Sequence, residues 1–199
     1  MAKSNITRRA ILGAMAATSF CIAPVLAASN KQAEELVIQL VGEINAIIAS
    51  GKSESAMIRE FERVFTRYAD VSTIARYAMG TDSRRASDAQ LSRYTKEFSG
   101  YMARKYGKQF RKFVGGKIEV NGSKPVKKYY EISTTAKLNG EAPFEVLFLV
   151  SEGSGELLFF NMFIEGINLL LSERTEIGAL LDKNRGNIDN MIADLAKAG

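Results

Sequence analysis

Apolar side chains recur every three or four residues through the first half of the chain and every second residue through much of the second. Leu36, Val37, Leu40, Ile44, Ile47 and Ile48 share one helical face that ends near Ser50-Gly51. Ser53 stands at the cap position of a second helix, whose stripe is Met57, Ile58, Phe61, Val64, Phe65 and Tyr68. Asp70 caps a short third helix that runs to Met79 and stops at Gly80. Ser87-Asp88-Ala89-Gln90 is a capping box. The helix it opens is long, with Leu91, Tyr94, Phe98, Met102, Tyr106, Phe110 and Phe113 as one mostly aromatic stripe before Gly115-Gly116.

Period two takes over after those glycines. Ile118 and Val120 lie on one side of a short strand, and Asn121-Gly122-Ser123-Lys124-Pro125 reads as a turn. Val126, Tyr130, Ile132, Thr134, Ala136 and Leu138 follow, with mostly polar residues between them, as expected of a half-buried strand; Asn139-Gly140 turns the chain back. Phe144, Val146, Phe148 and Val150 face one way, and Leu147 and Leu149 the other. Leu157 to Ile164 is apolar on both sides. The last two strands are therefore expected at the centre of the sheet, covered on both faces. Two helices close the chain, at about 168–184 and 187–197. Helices, then an antiparallel meander of about four strands, then helices argue an α+β domain.

The N-terminal residues follow a different logic. Lys3, Arg8 and Arg9 precede an apolar run from Ala10 to Ala23, Pro24 breaks it, and Val25-Leu26-Ala27 supplies small side chains. That is the order of a secretory leader, with cleavage expected after Ala27. Thr7-Arg8-Arg9-Ala10-Ile11-Leu12 also resembles a twin-arginine signal, with Ile11 where Phe is usual and Gly13 where Lys is usual. Residues 1–27 are thus read as a signal peptide and residues 28–199 as one exported domain.

Export changes the reading of charge. Of 27 basic residues three fall in the leader, which holds no acids, leaving 24 against 22 acidic residues. A net of +2 gives no argument for nucleic-acid binding. The chain has no His, and its single Cys, Cys21, belongs to the leader. Disulfides, thiol nucleophiles, Cys/His zinc sites and His-based triads are excluded. Gly115-Gly116-Lys117 continues with Ile118 and makes no phosphate loop. No catalytic residue, metal ligand or cofactor site is assigned.

Two ordered segments carry a family resemblance. The first is Tyr68-Ala69-Asp70-Val71-Ser72-Thr73-Ile74-Ala75-Arg76-Tyr77-Ala78-Met79-Gly80, continued by Ala86-Ser87-Asp88-Ala89-Gln90, Tyr94 and Phe98. The second is Phe163-Ile164-Glu165-Gly166-Ile167-Asn168-Leu169, followed by Arg174. Together they resemble the MlaC-type or toluene-tolerance family, lipid carriers of the Gram-negative periplasm. The chain departs from the family in having no Trp, and in Asn161 and Asn168 where Asp and Ser are common.

The resemblance implies a sheet with helices against one face, enclosing an apolar cavity that holds phospholipid acyl chains. It implies shuttling between an outer-membrane lipoprotein complex and an inner-membrane ABC transporter, which maintains outer-membrane lipid asymmetry, with only transient membrane contact. A hopanoid or other polycyclic lipid is the alternative cargo of the same fold. An NTF2-like enzyme using a pocket carboxylate and tyrosine, from types such as Tyr129, Tyr130 and Glu145, is a further alternative, as is an exported adaptor without ligand.

The pattern nominates cavity residues as well. Phe61, Phe65, Phe98, Met102, Tyr106, Phe144, Val146, Phe148, Phe159 and Met162 are the lipid-binding candidates, being large apolar side chains on elements expected to face one another. Arg104, Lys108 and Arg111, at helical spacing, are candidates for headgroup or partner contact. Arg76 and Arg174 are expected to pair with Asp70 or Glu165 and orient helix ends.

Overall fold

A computed structural model describes residues 29–109 and 114–199. The leader at 1–27 lies outside the described residues, as do Phe110, Arg111 and Phe113. Helices α1 (Asn30–Ala49), α2 (Glu54–Tyr68), α3 (Val71–Met79) and α4 (Asp88–Gly107) come first. Strands β1 (Lys117–Val126), β2 (Tyr129–Lys137), β3 (Phe144–Ser151), β4 (Leu158–Ile164) and β5 (Ile167–Asn168) follow, then helices α5 (Leu169–Lys183) and α6 (Ile188–Leu195). The architecture is α+β, as the pattern predicts.

The caps explain where the helices begin. Ser29 with Gln32 and Ser87 with Gln90 form complete capping boxes at α1 and α4. Asp70, Asn168 and Asn187 each accept a backbone N–H at the start of α3, α5 and α6. Ser53 occupies the cap position of α2, but its side chain accepts no such bond.

The sheet is antiparallel throughout, in the order β1-β2-β3-β4-β5. It has one strand more than the pattern predicts, because β5 is a two-residue strand and too short to show a period. Glu165 and Gly166, at φ 50° and 78°, form the loop between Ile164 and its partner Ile167. Two successive positive φ values are what a tight hairpin with the right twist requires.

The first hairpin corrects the sequence reading. Asn121 to Pro125 is not a turn: β1 runs through it, with a register irregularity between Val120 and Gly122. The chain reverses at Lys127-Lys128, between the paired residues Val126 and Tyr129. β1 is an edge strand, so Pro125 deprives no neighbour of a hydrogen bond.

One sheet face carries the core. Ile132, Ala136, Val146, Phe148, Val150 and Phe159 join α1, α2, α3 and α4 in one buried cluster. α1 lies across β1 to β3, while α3 and α5 pack on β4. Leu147, Leu149, Phe160 and Phe163 lie apart from that cluster, with Leu147 directly opposite Phe163. β3 is central as expected, but β4 is separated from the edge only by β5. Asn45 of α1 pins β1 by bonding both the N–H and the C=O of Ile118, at 3.0 Å each. Asp70 N–H donates to the Phe159 carbonyl at 2.8 Å and ties the α2–α3 junction to β4.

Candidate functional site

Between the sheet and the helices lies a cavity of about 320 Å³. Its walls follow from the two periodicities. α2 contributes Phe61 and Phe65, and α4 contributes Met102 and Tyr106. β3 contributes Phe144, Val146 and Phe148 at period two, and β4 contributes Phe159 and Met162. Phe148 stands edge-on to Phe159 at 5.7 Å, and Phe65 lies 6.0 Å from Phe159. Leu40 and Ile44 of α1, and Leu169 and Leu170 of α5, complete the apolar wall.

Phe98 is the exception among the sequence candidates and does not line the cavity. It is fully buried between Tyr94 at 5.7 Å and Tyr101 at 6.1 Å, within the helix packing. A stripe read in four-residue steps drifts around a straight helix by roughly 40° per step. Tyr94 and Phe98 therefore face neighbouring helices, while Met102 and Tyr106 turn toward the sheet.

The exposed lining residues Gln109, Glu141 and Glu165 mark the mouth. The interior residues Phe65, Ile74, Met102, Val146, Phe148 and Phe159 are buried. An apolar cavity of about 150 Å³ already stays dry and accepts an aromatic guest. A larger one lined by Leu, Ile, Phe and Met is suited to hydrocarbon.

One charged group interrupts this wall, and it was absent from the sequence candidates. Glu173 of α5 lines the cavity with only 1% of its surface exposed. Its Oε1 accepts from Lys105 Nζ at 2.7 Å and from the Tyr106 hydroxyl. Its Oε2 has no partner among the described residues. Lys105 also pairs with Glu176 at 2.6 Å, and the Tyr101 hydroxyl donates to Glu176 at 2.8 Å. Burial first, and then hydrogen bonding to Glu173, holds the Tyr106 phenol well above its ordinary value. It stays a hydrogen-bond donor. The signal in the sequence was spacing: Glu173 stands four residues after Leu169 and three after Leu170, on their face of the helix.

Two of the three basic candidates bind backbone oxygens near the end of the chain. Arg104 Nε donates to the Ala198 carbonyl at 2.7 Å and its Nη2 to the Leu195 carbonyl at 2.9 Å. Lys108 Nζ donates to the Gly199 backbone oxygen at 2.5 Å. Arg104 ties the end of α6 to α4, where a cation complements the last helix carbonyls, and Lys108 holds the residues that follow α6. Arg111 lies outside the described residues. Arg174 does not take the carboxylate expected for it; its guanidinium stacks on Tyr77.

The residues of the enzyme alternative do not converge. Tyr130 and Glu145 point to opposite sheet faces, and neither they nor Tyr129 line the cavity. Among the described residues no His/Cys/Asp/Glu group is placed to hold a metal ion. No helix among them is long and apolar enough to cross a membrane.

Helices laid on one face of an antiparallel sheet, around a mostly apolar cavity with a polar mouth, make a small domain whose interior has room for an apolar group. The family model described as MlaC protein matches residues 38–197, and the chain belongs to that family. The fold is also that of a phospholipid-binding protein from Ralstonia solanacearum, solved in complex with a phospholipid, at a TM-score of 0.71. The two are 17% identical, and the alignment covers 83% of this chain and 95% of that one. A comparison with curated proteins finds no match.

Proposed function

We propose that this protein is a periplasmic phospholipid carrier. Residues 1–27 act as its export leader, and lipid passes between an outer-membrane lipoprotein complex and an inner-membrane ABC transporter, maintaining lipid asymmetry. The observation that carries the reading is the 320 Å³ cavity, closed by aromatic and aliphatic side chains and rimmed by Gln109, Glu141 and Glu165. Family membership and the phospholipid complex of the Ralstonia protein support the same cargo.

The energetics fit carriage. Two acyl chains of ordinary length represent roughly 25 kcal/mol of transfer from water, at about 0.8 kcal/mol per CH₂. Free passage through water is negligible, so a carrier must shield the chains. Transfer from a bilayer to an apolar cavity nearly cancels that term. Loading and unloading are then close to neutral, and direction is left to the partners.

The test is transfer between vesicles. Donor vesicles carry fluorescent phospholipid and a quencher, and acceptor vesicles are plain. The protein is expected to accelerate dequenching in proportion to its concentration, without vesicle fusion. No acceleration at any concentration contradicts the reading.

A further inference from the structure

Glu173 is the single buried carboxylate in the lining described above, and half of it is committed. Oε1 receives Lys105 and Tyr106, while Oε2 is buried and has no partner among the described residues. Lys105 is shared between Glu173 and Glu176, so its ammonium is not committed to Glu173 alone. Leaving a buried acceptor unmet is costly, and costlier when it is charged.

We infer that Glu173 Oε2 is a recognition point for a hydrogen-bond donor on the cargo: a hydroxyl or an ammonium carried by the lipid. The inference rests on the carrier reading and adds selectivity to it. A lipid bringing such a donor satisfies Oε2; one of equal chain length without it leaves the oxygen buried and unpaired. Sites built around a polar group reject analogues that lack its partner far better than apolar walls reject a change of size. The donor has two possible sources, the headgroup at the polar mouth or a hydroxylated acyl chain inside.

The experiment is competition for the full protein from mixed vesicles, read by mass spectrometry of the extracted lipid. One pair sets phosphatidylethanolamine against phosphatidylcholine of identical chains. The other sets phosphatidylcholine with a hydroxystearoyl chain against the same lipid with stearoyl. The protein is expected to enrich the donor-bearing lipid about tenfold in one pair, and that pair identifies the source. Glu173→Gln keeps an acceptor for Lys105 and Tyr106, and Glu173→Leu removes the polar group. Both should bring the ratio to parity, whatever their effect on total lipid per chain. No enrichment in either pair, or enrichment that survives both substitutions, overturns the proposal and leaves the carrier reading intact. Protein that takes up neither lipid overturns the carrier reading itself.

Discussion

The guanidinium of Arg174 lies over the ring of Tyr77, 5.1 Å from its centroid. A Cβ on Gly80 would stand 3.4 Å from the same guanidinium, and Gly80 sits at φ 67° and ψ −139°. Two sequence segments a hundred residues apart thus meet at one point, where α5 packs on α3. Arg174→Ala should cost about 0.5–1 kcal/mol, the worth of an exposed cation–π contact. Gly80→Ala should cost about 1–3 kcal/mol, because that backbone conformation suits glycine alone. Urea denaturation at neutral pH checks both, and equal small effects would contradict the assignment.

Cavity and core should separate in mutants. Met162→Trp fills space in the cavity and should strongly reduce lipid taken from vesicles, at a stability cost of about 1–3 kcal/mol. Phe98→Leu, in the helix packing, should destabilise by about 1–2 kcal/mol and leave lipid per chain unchanged. Lipid extraction after vesicle exchange distinguishes them. Wild-type occupancy in Met162→Trp would show that the cavity is not the lipid site.

Arg104→Ala should lower stability by about 1–3 kcal/mol, since two backbone carbonyls lose a charged donor. Lys108→Ala, at an exposed site, should stay within about 0.5 kcal/mol. Neither should change vesicle-to-vesicle transfer rates. A slowed transfer with unchanged stability would return these residues to the headgroup or partner role that their spacing suggested.

Stability should be flat across the middle of the pH range, because the chain has no His. Lys117 first, and then Lys137, holds Glu119 down to about 2, from an ordinary value of 4.5. Asp189 is lowered by Arg93 and Gln90, and Asp194 by Asn184 and Lys183. Groups depressed in the folded state contribute fully above their unfolded values. That contribution is lost as pH falls from about 4.5 toward 2. Tyr94 and Tyr101 are raised, by burial first and then by Glu173. Their contribution is full below pH 10 and is lost as pH rises beyond it. Glu119→Gln should flatten the acid limb in thermal melts taken from pH 7 to 2. An unchanged limb would contradict this.

Helices were the most legible part of the sequence, because capping residues and stripes agree at Asp70 and Ser87; the caps at Ser29 and Asn168 emerge only from the structure. The strands were legible wherever one face is buried. The first hairpin was not, because Asn121-Gly122 and Pro125 look like a turn yet sit at an irregularity on an edge strand. Lys127-Lys128, the real reversal, carries no turn signature even though Lys127 sits at φ 52°. Large apolar side chains located the cavity walls. They could not separate Phe98 from Met102, because rotation around one helix decides between core and lining. The roles of Arg104, Lys108 and Glu173 depend on partners 67 to 94 residues away, which no local pattern reports.

Native mass spectrometry tests the central claim most directly. The protein is expressed with its own leader in a Gram-negative host, recovered from the periplasm and sprayed intact. A discrete added mass of one phospholipid per chain is predicted, identified by extraction and fragmentation. Protein that arrives empty, and remains empty after incubation with phospholipid vesicles, would contradict the carrier account.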